Sequence, residues 1–245
     1  MKRILLFVLA ILLIPVAVHA QGEIDKLMKE GDALYNQREQ GKAKDAIKVF
    51  EKIVAIDPES YDAYWKIGLA YYWLGRVEDS DSRKQTLYKE GIEFCKLAVE
   101  LKPEKAEAHF WLGTLYGKFG EAKGVLQSLH LVPHIQKEMN TVIKLDSKYQ
   151  GGGAYRVLGR LYYKLPSFKG GDINKSEEYL RKAIELGPTN LMNHTFLAET
   201  LIKKDKKDEA KKELQKVLDM PPEPGLEPEA KIEKKTAKSI MEEIR

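Results

Sequence analysis

The chain has 245 residues, 43% hydrophobic and 32% charged, with 41 Lys and Arg, 37 Asp and Glu, and a single Cys. That balance suits a soluble, helix-rich protein with a real core. It excludes an internal disulfide framework, and because the basic count falls to 39 once Lys2 and Arg3 are set aside, nothing calls for nucleic acid. The first element is apolar. Lys2-Arg3 precede an unbroken apolar run over residues 4–14, Pro15 breaks it, and Val18-His19-Ala20 places small side chains at both cleavage positions. This predicts a signal peptide over residues 1–20 and a periplasmic location. The alternative is a retained anchor, but a spanning helix needs ~20 apolar residues. No later segment reaches that length, so no membrane span is expected after cleavage.

From residue 21 onward the sequence repeats itself. Amphipathic helix tails stop at Asp57-Pro58, Lys102-Pro103, Asp146-Ser147, Gly187-Pro188 and Pro221-Pro222. After the stops a second pattern returns: Tyr64-Trp65-Lys66-Ile67-Gly68, His109-Phe110-Trp111-Leu112-Gly113, Tyr155-Arg156-Val157-Leu158-Gly159 and, more weakly, His194-Thr195-Phe196-Leu197-Ala198. An apolar residue ahead of a small one, and an aromatic three beyond it, matches the core of the tetratricopeptide (TPR) pattern. Ala46, Phe50 and Ile53, and later Ala210, Leu214 and Val217, supply the second helix. The predicted fold is all-α: an α–α superhelix, or TPR-like solenoid, of about five helix-turn-helix units over residues 21–222. Gly68, Gly113 and Gly159 are expected where two helices nearly touch, and Cys95, among Ile92, Leu97 and Ala98, is expected to be buried as a small hydrophobe.

Some units exceed the ~34 residues of a regular repeat. The extra length falls at about residues 76–90, 121–134 and 166–175. Residues 85–88 and 124–129 carry apolar side chains at helical spacing and are expected to lengthen the second helix of their units. Helices projecting past the solenoid edge would favour self-association. Residues 223–245 read as a linker and a C-terminal capping helix carrying Ile232, Ile240 and Ile244.

Two candidate binding patches emerge. Arg156, Arg160 and Tyr163 share one face of a helix, opposite the stripe of Tyr155, Leu158, Gly159 and Tyr162, so the arginines face the concave groove. Two guanidinium forks beside an aromatic suit a carboxylate, and the alternative is that both pair with neighbouring carboxylates. Trp65, Leu69 and Tyr72, with Phe110, form an apolar groove wall that either takes a ligand or packs against the extra helical length. His130 and His134 are four apart, but Pro133 lies between them and no third ligand is spaced to join them. Gly151-Gly152-Gly153 and Gly170-Gly171 lack phosphate-loop context and read as turns. No catalytic set can be picked out, so the chain is read as a non-enzymatic, cofactor-free binding protein.

The stretch from Gly151 to Tyr162, Leu165-Pro166 with the Gly170-Gly171-Asp172 turn, and residues 191–218 with Asn193, Ala198 and Glu199 resemble the T component of TRAP transporters. The resemblance implies a periplasmic TPR accessory that docks a solute-binding protein, and a trimer. Lipid-anchored members carry Cys at the mature N-terminus, where this chain has Gln21-Gly22. A second, weaker resemblance is to the regulators of microtubule dynamics, which share divergent TPR helices; the expected signal peptide favours the transport family. A generic cell-envelope scaffold in outer-membrane, pilus or polysaccharide assembly is the alternative function.

Overall fold

The structure, a computed structural model, describes residues 20–244. The expected signal peptide, apart from Ala20, lies outside the described residues. Residues 20–36 form α1. Ten further helices follow: α2 (Ala43–Ile56), α3 (Tyr61–Val77), α4 (Asp81–Leu101), α5 (Ala106–Lys123), α6 (Val132–Asp146), α7 (Tyr149–Lys164), α8 (Ile173–Leu186), α9 (Leu191–Lys203), α10 (Lys207–Asp219) and α11 (Glu227–Glu243). No strand occurs among the described residues, and the expected all-α superhelix is the fold.

Local chemistry sets the helix limits. The Ser80 hydroxyl accepts from the Arg83 N–H at the start of α4, and the Asp172 carboxylate accepts from the Asn174 and Lys175 N–H groups at the start of α8. These contacts satisfy donors that the first turn leaves free. Pro58, Pro103 and Pro188 follow the ends of α2, α4 and α8, where the residue before proline is driven to extended backbone. Each helix packs on its sequence neighbours. From α3 onward, each odd-numbered helix also touches the next odd-numbered one. The odd helices thus form the inner layer and the even helices the outer one.

Apolar stripes meet between the layers. Phe50, Phe110, Leu115, Met139, Leu158 and Leu197 are fully buried, each worth about 1.5–3 kcal/mol of transfer free energy. The three repeat glycines lie at close helix crossings, as expected. A methyl group on Gly68 would overlap Cys95 Sγ, one on Gly113 would overlap Met139 Cε, and one on Gly159 would lie 2.7 Å from Leu180 Cγ. Cys95 is buried, and burial raises its thiol pKa beyond the ordinary range.

The inserted lengths resolve in two ways. Residues 85–88 do lengthen a second helix, because α4 starts at Asp81 and runs 21 residues. Residues 124–129 do not. Gly124 leaves the helix at φ +104°, residues Leu126–Leu131 form a separate 3-10 segment, and α6 starts with Pro133 in its first turn. A proline there has no N–H to continue a preceding helix. His130 and His134 are exposed on either side of that break, and His134 stacks against Tyr116.

The join of α6 and α7 is a kink. Gln150, Gly151 and Gly152 all have positive φ, at 53°, 59° and 71°. A Cβ on Gly152 would come within 2.9 Å of the Ala183 backbone, so only glycine both adopts this conformation and fits. Asn193, fully buried in α9, ties the kink down. Its amide donates to the carbonyls of Gly151, Ala183 and Gly187, each at 3.0 Å.

A polar latch recurs at one repeat position. His109, the fourth residue of α5, faces Glu138 of α6 through Nδ1 and the Pro103 carbonyl through Nε2. His194, the fourth residue of α9, contacts Glu213 of α10 and the Pro188 carbonyl in the same way. With an acceptor at both His109 nitrogens, only the imidazolium can donate to each. Burial works to lower the His109 pKa, but the hydrogen bonds to Glu138 and the Pro103 carbonyl outweigh it and raise the value, while Lys137 opposes the rise.

Two outcomes follow from this packing. Gly113→Leu should destabilise the protein by ~1–3 kcal/mol through overpacking, read as a lowered midpoint in urea. The His109 contribution is fully present below the ordinary histidine pKa of ~6.5 and is lost as pH rises through the higher folded value. Thermal stability should therefore decline on the alkaline side of neutrality, and His109→Gln should flatten that limb of the profile.

Candidate functional site

The inner helices line a half-open cavity of about 300 Å³, at the lower end of the range for small-molecule sites. Its wall is largely apolar and draws on every unit: Leu69 and Tyr72 from α3, Phe110 and Trp111 from α5, Val157 and Leu161 from α7, Met192 and Phe196 from α9, and Leu226 and Ala230 at α11.

What narrows the inner groove to this cavity is α11. The Arg38 guanidinium donates to Glu229 Oε2 at 2.5 Å, to Glu229 Oε1 at 3.0 Å and to the Gly225 carbonyl at 2.5 Å. Its plane lies near the rings of Tyr35 and Trp73. Arg76 pairs with Glu233 at 2.5 Å, and Lys231 reaches Glu39 at 2.7 Å. The Arg38 side chain is only 2% exposed. The C-terminal helix therefore caps the last apolar face and also reaches back to the first unit.

The polar groups of the wall fall into two sets. Most are paired: Lys118 with Glu121 at 2.9 Å, and Arg160 with Glu199 at 2.5 Å. Burial disfavours the Glu121 charge, but Lys118, helped by Arg160 and Lys164, overcomes it and holds the carboxyl at about 2. Arg160 is packed between Phe196 at 4.4 Å and Tyr163 at 4.9 Å, a cation–π arrangement.

Arg156 and Lys164 differ, because neither has an ion-pair partner among the described residues. Arg156 is 7% exposed, and its Nη1 donates to the Gln150 carbonyl, the Asn193 carbonyl oxygen at 2.9 Å and, more weakly, Asn190. All three acceptors are neutral. Burial lowers the pKa of Arg156, and burial together with the neighbouring Arg160 lowers that of Lys164. The buried hydroxyls of Thr114 and Ser128, which line the same cavity, have no hydrogen-bond partner.

The sequence-predicted residues divide accordingly. Leu69, Tyr72, Phe110, Arg156 and Arg160 line one cavity. Tyr163 stacks on Arg160 just outside the lining. Trp65 lies outside it altogether: it is half-buried between two core clusters and donates from its indole to Asp62 at 2.9 Å. Its helical phase points to the wall, but in α3 that position packs outward. Phe110 and Tyr72 are themselves 2% and 6% exposed, so they act as core as well as wall. Arg160 meets the carboxylate pairing considered for it, whereas Arg156 does not. Sequence reasoning did not assign Lys164, Thr114 and Ser128 to the site, although Lys164 continues the i, i+4 series from Arg156 and Arg160.

Fold and cavity together define a TPR-type interaction protein. Its family is the regulators of microtubule dynamics: the profile of regulator of microtubule dynamics proteins 1-3 matches residues 27–169, and the chain belongs to that family. A tetratricopeptide profile matches residues 167–190 and 194–224. The family is the one whose resemblance was weaker in the sequence. The bovine regulator of microtubule dynamics protein 3 (Bos taurus) is 24% identical over 145 residues, 59% of this chain and 30% of that protein. A TPR repeat-containing protein, MJ1428 of Methanocaldococcus jannaschii, is 27% identical over 190 residues, 78% of this chain and 30% of that one. The chain thus spans about a third of these curated relatives. A thermophilic TPR protein of Thermus thermophilus shares the fold, with a TM-score of 0.66, 18% identity, and coverage of 88% of this chain and 99% of that one.

Arg38→Ala should strand Glu229 in a largely buried setting and cost ~3–5 kcal/mol. Urea unfolding measures the loss, and hydrogen exchange should rise first at the amides of α11.

Proposed function

We propose that this protein is an exported, non-enzymatic binding protein whose working surface is the half-open cavity under α11, and that it holds there a small guest with an apolar body. The observation that carries this reading is closure. A TPR groove that takes a peptide or a partner helix has to stay open along its length, and here α11 occupies that opening through Arg38–Glu229 and Arg76–Glu233. The space left is of small-molecule size. The acid and base groups of most of the wall are committed to ion pairs, which favours binding over chemistry.

A protein partner then docks on an outer surface. The resemblance to TRAP T components over residues 151–218 supports a periplasmic solute-binding protein in that role, with the guest passing between the two, and supports a trimer. The alternative is a generic cell-envelope TPR scaffold in outer-membrane, pilus or polysaccharide assembly. Roles in microtubule dynamics belong to relatives of which this chain matches only part.

The test is titration with N-phenyl-1-naphthylamine, a neutral hydrophobic fluorophore. Its emission should rise and saturate at one dye per chain, and Leu161→Trp, which fills the cavity, should abolish the rise while the thermal midpoint stays within a few degrees. Undiminished binding by the filled variant would overturn the reading. Co-purification of a solute-binding protein with the mature chain tests the transport arm separately.

A further inference from the structure

The cavity wall carries one unsolved electrostatic problem, and it identifies the guest's chemistry. Arg156 is a guanidinium, charged at any pH the protein meets, and it is 7% exposed. Every other arginine of the wall has a carboxylate: Arg38 has Glu229, Arg76 has Glu233 and Arg160 has Glu199. Arg156 has only the neutral oxygens of Gln150, Asn190 and Asn193, all on Nη1. Its Nε and Nη2 make no hydrogen bond to any described residue, and the side chain lines the cavity. A buried charge without a counter-charge is costly. Behind the same wall the buried hydroxyls of Thr114 and Ser128 also lack hydrogen-bond partners.

We propose that Arg156 anchors the carboxylate of a monocarboxylic acid whose apolar body lies along Trp111, Val157 and Leu161. This rests on the reading that the cavity holds a guest, and it adds the class of guest. Three features select the class. The free Nε and Nη2 form the edge of a guanidinium fork, which matches the two oxygens of a carboxylate. Among the described residues Arg156 is the one positive charge at this depth with no carboxylate in contact, since Glu223 and Glu233 act on it only from beyond ion-pair distance, which matches a monoanion. The other unpaired cation, Lys164, is carried two helical turns away, about 12 Å along α7. It is only partly shielded, at the edge of the cavity, where a positive charge attracts anions. A dicarboxylate or a phosphate dianion would bring a second negative charge towards Glu223 and Glu233, and the neighbouring Arg76 is already paired with Glu233.

Isothermal titration with octanoate, 1-octanol and octylamine separates the claims, because the three share a body and differ in head group. Octanoate should bind at least roughly tenfold tighter than octanol, as a charge-assisted bidentate contact requires, and octylamine should bind weakest. Arg156→Met should bring octanoate and octanol within about twofold of each other. Because Arg156 also braces Asn190 and Asn193, that variant can fail to fold. A second readout therefore uses the wild-type protein. The carboxyl signal of bound ¹³C-labelled octanoate, followed through a pH titration, should stay ionised well below the range of the free acid. If neither octanoate nor octanol binds, the cavity reading itself falls. If both bind within twofold, or the bound carboxyl titrates as free octanoate does, only the carboxylate inference falls. If the preference persists in a folded Arg156→Met, Arg156 is not the anchor.

Discussion

Arg38 and Glu229 are 191 residues apart in sequence and in hydrogen-bond contact in space, and that contact decides what kind of object the repeats build. A solenoid is held by neighbour contacts alone, each unit covering the stripe of the next. Such a stack has two free ends and an open concave face. Here the last helix returns to the first unit, so the inner face becomes the lining of a partly covered cavity. The contact is polar in a core that is mostly apolar. The guanidinium lies against Tyr35 and Trp73 while its donors are taken by Glu229 and the Gly225 carbonyl. A buried ion pair is weak evidence for stability but good evidence for register, and register is what a closing helix needs. The buried face of α11 is built from small or charged residues, Pro228, Ala230, Glu233 and Ala237, which by themselves specify little about where the helix lies.

Closure also explains the charge pattern of α7. Arg156, Arg160 and Lys164 follow one another at i, i+4 and i+8 on the cavity side. Arg160 is neutralised by Glu199 of α9 and approached by Glu121 of α5, so it works as a brace between three helices. Arg156 has no acid in contact, because the residues opposite it at the start of α9 are Asn190, just before the helix, and Asn193, amides and not acids. Asn193 cannot be an aspartate without losing its donated bonds to Gly151, Ala183 and Gly187, which hold the kink that starts α7. The need to tie down that kink thus fixes an amide where an ion-pair partner for Arg156 would stand.

Much of this was legible in the sequence, for a definite reason. Stripe, small residue and stop recur with a period, and the physics behind each is local: an apolar face needs a partner, glycine permits close approach, and proline ends a helix. Gly68, Gly113 and Gly159 land at helix crossings for that reason, as does the lengthened α4. The 3-10 segment at Leu126–Leu131 is misread from sequence because its apolar spacing fits a helix equally well, while Gly124 and Pro133 break it at either end. At the site, Arg156 and Arg160 could be placed on the concave side from their spacing. Their opposite fates could not be read, since these depend on Glu199, Asn190 and Asn193 of a different unit. Trp65 fits the wall by helical phase, yet the position packs between clusters. Closure by α11 lay furthest from view, because a contact between residues 38 and 229 leaves no periodic trace.

Membership in the regulator of microtubule dynamics family fixes ancestry and architecture but spans only a part of each curated relative, so function has to be argued from the cavity. The two histidine latches help to say which parts of the fold are scaffold. His109–Glu138 and His194–Glu213 occupy the same repeat position and staple an inner helix to the outer helix that follows it. Tyr64 and Tyr155 fill that place in the other units. Tyr155 stacks on Tyr179 of α8, and Tyr64 lies against Phe94 of α4. One position therefore does one job, joining the layers, with whatever chemistry its unit offers. Arg156 sits one residue further along α7, turned from the layer joint to the interior, and its charge is not spent on holding helices together in the way that each latch is. That difference separates the arginine that answers to a guest from the residues that answer to the fold.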